Sequence, residues 1–215
     1  MLVEKKKSTL RWLLTAVGWV TLLGCQPAVL SQKDYIAFMN DPSNGLIQYK
    51  TIAERLRISA QYVPIDYLAY GDLLKLQLPH TTAVIDSLKL TYKHSTTFYI
   101  HVESLDPKLD LRSFLCDDIT NTLKMTEALT RLDESFSTGL SLSAGQGKYA
   151  PSLCIRESSP SVSGRMSFIA VFPVSVNSLS SGRCTVVWND TAFQAGRQVF
   201  EFDVGDLANT PSVRL

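Results

Sequence analysis

A charge-free apolar run, Trp12–Gly24, divides this chain into two unlike parts. It follows a basic start, Lys5, Lys6, Lys7 and Arg11, and ends at Cys25. Thirteen residues of helix span about 20 Å, short of the roughly 30 Å hydrocarbon core of a bilayer. The pattern therefore reads as an export signal over residues 1–24 rather than a membrane-spanning helix. The division changes the meaning of the charge. Of the 21 basic and 20 acidic side chains, the signal holds four and one (Glu4). The remaining 191 residues carry 17 basic and 19 acidic groups, a formal −2, where the whole chain is +1. A body without a basic excess argues against nucleic acid as a partner. The 45% hydrophobic fraction excludes a disordered chain, and four cysteines in this length do not make a disulfide scaffold.

The run closes with Leu22-Leu23-Gly24-Cys25. This resembles the lipobox of bacterial lipoproteins: a leucine, an apolar residue, a small residue, then cysteine. The resemblance implies cleavage between Gly24 and Cys25, a diacylglyceryl group on the Cys25 thiol, and acylation of the new amine. The competing reading is an ordinary signal peptide with a coincidental cysteine. In lipoproteins of this kind an aspartate after the cysteine favours inner-membrane retention and an early acidic cluster favours surface export, so on this resemblance Gln26, and the absence of an acid between Cys25 and Asp34, imply the periplasmic face of the outer membrane. Gln26–Gln32 reads as a tether, so residues 25–32 form a lipidated linker and residues 33–215 one envelope domain.

Within that domain the apolar spacing alternates between periods. Lys33–Asn40 reads as a short helix, and Asp41-Pro42-Ser43-Asn44-Gly45 as a turn. Leu46–Ala53 and Arg55–Val63 read as a hairpin with Ile58, Ala60 and Tyr62 on one face. Ile65–Lys75 has helical spacing after Pro64, and Pro79–Lys89 fits either period. Thr96–Glu103 reads as a strand, with Phe98, Ile100 and Val102 alternating against Tyr99, His101 and Glu103. Leu111, Leu115, Ile119 and Leu123, continued by Leu129 and Leu132, predict one long helix with a break near 121–126. Phe136–Ser143 alternates again, Gly145-Gln146-Gly147 is a turn, and Tyr149–Glu157 is extended. Ser158–Ser163 reads as a loop, and Met166–Val174, Arg183–Trp188 and Val199–Val204 as strands. These elements predict an α+β, β-rich fold, an antiparallel β-sandwich of which the immunoglobulin-like form is one version, with the central helix packed on a face or edge.

Segments around Asn40-Asp41-Pro42, Gln61-Tyr62-Val63-Pro64 and Trp188–Gly196 are similar to uncharacterised Bacteroidota lipoproteins, a resemblance that implies no activity.

The chemistry-bearing residues are sparse. In an oxidising compartment Cys154 and Cys184 are the better pair if a disulfide forms, with Cys116 left over; separate buried thiols are the preferred reading. His101 and Glu103 share a strand face, but two ligands do not make a metal site. Gly145-Gln146-Gly147-Lys148 lacks the glycine and Ser/Thr of a phosphate loop. Asp117-Asp118 and Asp133-Glu134 read as solvated helix positions. Asp86-Ser87-Leu88 and Asp190-Thr191-Ala192 match a three-residue O-glycosylation pattern. With no recognisable catalytic set and no cofactor implied, the sequence points to a non-catalytic, lipid-anchored interaction or structural module with an envelope protein as its partner. The alternative is a small-molecule or glycan binder whose pocket is lined by Tyr62, Tyr67, Tyr70, Tyr92, Phe98 and Tyr99. An enzyme on an unfamiliar plan is the remaining rival.

Overall fold

The computed structural model describes residues 28–157, 164–180 and 182–214. The export signal, the Leu22–Cys25 motif and the Ser158–Ser163 loop lie outside them. Helix and strand each account for about 35% of the structure, and the sheets are mostly antiparallel, so the fold class is α+β.

The chain enters through β1 (Val29–Leu30), followed at once by helix α1 (Gln32–Met39). Ser31 starts α1 as an N-cap, its Oγ accepting the Asp34 amide at 3.2 Å. β1 pairs in parallel with the last strand, β11 (Ser212–Val213). Residues 28–32, read from sequence as tether, are thus held by the body: Ser212 N donates to Ala28 O and Arg214 N to Leu30 O. Two-residue strands carry too little pattern to be seen in advance.

A five-stranded sheet has the order β2-β3-β4-β8-β7, built from β2 (Ile47–Ile52), β3 (Leu56–Val63), β4 (Thr96–Ser104), β7 (Leu153–Arg156) and β8 (Arg165–Phe172). Period-two alternation fills one face of it with Ile58, Ala60, Tyr62, Phe98, Ile100, Val102, Phe168, Ala170 and Phe172, all buried. A four-stranded sheet has the order β10-β9-β5-β6, from β5 (Leu140–Ala144), β6 (Gly147–Tyr149), β9 (Arg183–Asp190) and β10 (Gly196–Asp203). Its buried face presents Leu142, Val186, Trp188, Phe200 and Phe202. One apolar cluster joins the two faces, with the Phe98 and Phe202 rings 5.0 Å apart. Burying each such side chain contributes about 1.5–3 kcal/mol, so this cluster holds the body together.

Helices α2 (Ile65–Lys75) and α3 (Thr82–Tyr92) connect β3 to β4. Pro64 stands just before α2, at the cap position, and Thr81 Oγ1 caps α3 through the Val84 amide. Lys89 of α3 bridges Asp66 of α2 at 2.9 Å. The segment of ambiguous period, 79–89, is therefore mostly helical.

The central helix differs from its expected form. Leu111–Phe114 is a single 3-10 turn, and α4 begins afresh at Thr122 and runs to Gly139. Asp110, Asp118 and Asn121 each accept a nearby backbone amide, those of Arg112, Thr120 and Lys124, and so start three separate local structures. The four-residue repeat through Leu111 and Leu123 is not one helix face, since Leu123 is 78% exposed. The true buried face is Ala128, Leu132 and Phe136. Residues 136–139, expected as strand, are the last turn of α4, because Phe136 stacks on Phe168 at 4.2 Å and meets Trp188 at 5.3 Å. Gly139 then lets the helix end touch β9: a Cβ there would lie 2.7 Å from Asn189 O. A short helix, α5 (Val204–Ala208), leads from β10 to β11.

Candidate functional site

The outward face of the five-stranded sheet carries the residues that the alternation of β4 turns away from the core. Cross-strand register sets Gln61, Tyr99 and Ile169 in one row and Ser59, His101 and Ser167 in the next. His101 Nδ1 and Ser167 Oγ are hydrogen-bonded at 2.9 Å. Burial, and then the charge of Arg165, push the His101 pKa down to about 4, so its imidazole is neutral at neutral pH. Burial, followed by the carboxylates of Glu157 and Asp72 and by Tyr67, pushes Tyr99 up to about 12. Tyr67, Tyr99, His101, Gln61, Met39 and Arg165 line a cavity of about 170 Å³. That is below the roughly 300–1,000 Å³ of small-molecule sites. A histidine of pKa about 4 is a weak general base at neutral pH, so the His101–Ser167 pair is a poor hydrolytic dyad.

Only Tyr67 and Tyr99 of the six expected pocket aromatics share that cavity. Tyr62 and Phe98 are buried in the core, and Tyr92 donates its hydroxyl hydrogen bond to Asp72. Glu103 shares the outward face with His101 but pairs with Arg57 at 3.6 Å. Among the described residues no three of His, Cys, Asp and Glu come together as metal ligands. No described helix is long and apolar enough to cross a membrane.

A larger hollow of about 380 Å³ lies along α4. Phe114, Leu115, Ala128, Leu132 and Ala192 give it apolar walls, with Arg131, Ser135 and Thr191 as polar groups. It adjoins a second of about 250 Å³ beside Cys116, Asp117, Asp118 and Lys124. Asp117 and Asp118 thus stand in the turn before α4, not on a helix as expected. Asp133 does sit on α4, where it makes a two-pronged pair with Arg156 of β7 at 2.9 and 3.2 Å.

Asp190 positions the loop at the hollow's rim. It is 5% exposed, and its carboxylate accepts the amides of Ala192, Phe193 and Ala195. Phe193 in turn packs on Trp188 and Phe114. In the three-residue patterns, Thr191 and Ser87 are both exposed. Sequence reasoning missed this site because its walls come from three separate segments. The one local signal was the Asn189-Asp190 turn chemistry that ends β9.

Cys154 and Cys184, the possible disulfide pair, stand in the structure as separate thiols. Both thiols are free, Cys154 on β7 of one sheet and Cys184 on β9 of the other. Burial pushes each up to about 11. Cys116 is also a free thiol, half-buried in the turn before α4. Gly24 and Cys25 lie outside the described residues. No family model, curated protein or solved structure matches the chain.

Proposed function

We propose that this chain is a lipid-anchored protein of the cell envelope, acting as a non-catalytic interaction or structural module. The observation that carries the reading is the ordered set at the N-terminus: Lys5, Lys6, Lys7 and Arg11, the apolar run, then Leu22-Leu23-Gly24-Cys25. Cys25 is the lipid attachment point, the bond before it the cleavage site, and the periplasmic face of the outer membrane the location. One acyl chain gives marginal, reversible binding, so the two or three that the motif implies make the anchor permanent. The 191-residue body then projects into the envelope as a single domain. Its two main sheets form a sandwich, a reading supported by the Phe98–Phe202 contact between their buried faces. The α4 hollow is the surface offered to an envelope partner.

The test is Cys25→Ser followed by membrane fractionation. The proposal expects loss of processing and of lipid. Normal processing with unchanged tight membrane association contradicts it.

A second reading, a small-molecule or glycan binder, is favoured by the size of the α4 hollow, about 380 Å³. It expects saturable binding of a soluble ligand that an obstructing Ser135→Trp substitution abolishes. Ligand screens by nuclear magnetic resonance that give no saturable binder contradict it.

A further inference from the structure

The distance from Cys25 to the ordered body sets how that body can sit on a bilayer. Ala28 is already bound, its carbonyl accepting the Ser212 amide at 2.9 Å. Three Cα–Cα steps separate it from Cys25, and at about 3.6 Å each they span at most ~11 Å. A domain of about 190 residues has a radius of gyration of roughly 16 Å. The linker is shorter than the body's own radius, so the body cannot turn its far side to the membrane.

We infer that the pole formed by β1, β11, the first turn of α1 and the last turn of α3 rests against an anionic lipid surface. This inference rests on the lipid anchor at Cys25 proposed above. Contacts define the pole. Asp66, at the start of α2, binds the Val213 amide at 3.3 Å and Lys89 at 2.9 Å. Lys93 and Ser212 line one small cavity with Asp66. Around it the surface mixes apolar and cationic groups. Val29 is 54% and Leu90 63% exposed. Lys33, Lys93 and Arg214 are exposed, against Asp34 and Asp206. Asp34 is also tied to Ser31 Oγ at 2.6 Å. On a body of net −2, the side from which the linker leaves thus exposes three cations against these two acids. Exposed apolar residues beside lysines match the boundary between headgroups and acyl chains.

The same geometry assigns the opposite pole. β3 runs from Val63, next to the Pro64 of the membrane pole, to Leu56, about 23 Å away at strand rise. Arg55, just before it, stacks on Phe114 at 5.8 Å, and Phe114 lines the α4 hollow. The hollow therefore faces away from the bilayer, where a partner can reach it.

The test uses the full lipidated chain, purified from membranes and placed on vesicles of phosphatidylethanolamine and phosphatidylglycerol. A membrane-impermeant acylating reagent labels lysines, and mass spectrometry reads the rate at each. Relative to the same chain in a non-ionic detergent, labelling of Lys33 and Lys93 should slow by about fivefold, the factor that about 1 kcal/mol per cation at an anionic surface represents. Lys50 and Lys108, at the far pole, should not change. In a lipidated Lys33→Glu/Lys93→Glu variant the contrast between Arg214 and the far pole, read by an arginine-directed dicarbonyl, should shrink. The same vesicle-to-detergent ratio at all four lysines, on a chain whose Cys25 carries lipid, overturns the docking alone. Slowing at Lys50 and Lys108 instead overturns the orientation. A chain with an unmodified Cys25 overturns the anchor and the docking together.

Discussion

Replacing Asp190 with alanine tests how the rim of the α4 hollow is held. The carboxylate receives the Ala192 amide at 3.0 Å, the Phe193 amide at 3.1 Å and the Ala195 amide at 2.7 Å. Deleting it orphans three donors. The Phe193 amide belongs to a buried residue and bears the full desolvation penalty, about 1–3 kcal/mol. Ala192 and Ala195 are half-buried, so water replaces most of what they lose, leaving about 0.5–1 kcal/mol each. The sum is about 2–5 kcal/mol. For a body of this size that lowers Tm by about 4–20 °C, at roughly 2–4 °C per kcal/mol. Urea unfolding followed by the fluorescence of Trp188 measures it, because Phe193 packs on that indole at 6.2 Å. Asp190→Asn keeps one acceptor oxygen and should cost about half as much. A loss under about 0.5 kcal/mol for Asp190→Ala would refute the claim that this carboxylate organises the loop.

Further outcomes follow from the same structure. His101 is neutral when folded because its pKa is depressed to about 4, below the ordinary value near 6.5. The unfolded chain then binds more protons between those values, so stability rises from pH 4 to about 6.5 and this contribution, about 3 kcal/mol, is lost on acidification. In urea unfolding across that window, His101→Gln should flatten the rise; an unchanged slope would assign it elsewhere. The Tyr35 hydroxyl is buried with no hydrogen-bond partner among the described residues, so Tyr35→Phe should be neutral or stabilising by up to about 1–2 kcal/mol. A destabilisation above about 1 kcal/mol in thermal unfolding would mean that a bound water serves that hydroxyl. With Cys154 and Cys184 both raised to about 11, native chain treated with an aromatic disulfide reagent at pH 8 should, of the three described thiols, react fast at Cys116 alone. Denaturant should then release Cys154 and Cys184 as thiols; their absence after denaturation would indicate a disulfide.

The sequence was most informative where one period ran without interruption. The strand through Phe98, Ile100 and Val102 occupies Thr96–Ser104 against an expected 96–103, and the helix read over Ile65–Lys75 is α2 itself. It misled where side chains competed with the backbone. The break expected near Asn121 is the cap of α4, but Asp110 and Asp118 also interrupt the part before it that the leucine spacing joined, because capping hydrogen bonds act locally while periodicity averages over turns. Phe136 fitted both a strand register and the helical set with Ala128 and Leu132, and packing against Phe168 decided between them. The α4 hollow was illegible because Phe114, Arg131 and Ala192 are distant in sequence and meet only after both sheets have formed. The parallel pairing of Val29–Leu30 with Ser212–Val213 joins the two ends of the body and has no local signature at all.

The most direct test of the anchored-module account is mass spectrometry of the N-terminal peptide of the chain isolated from its native cells. The account predicts that the peptide begins at Cys25, with a diacylglyceryl group on the thiol and an acylated amine. A peptide that begins elsewhere, or a Cys25 with a free thiol, would contradict it.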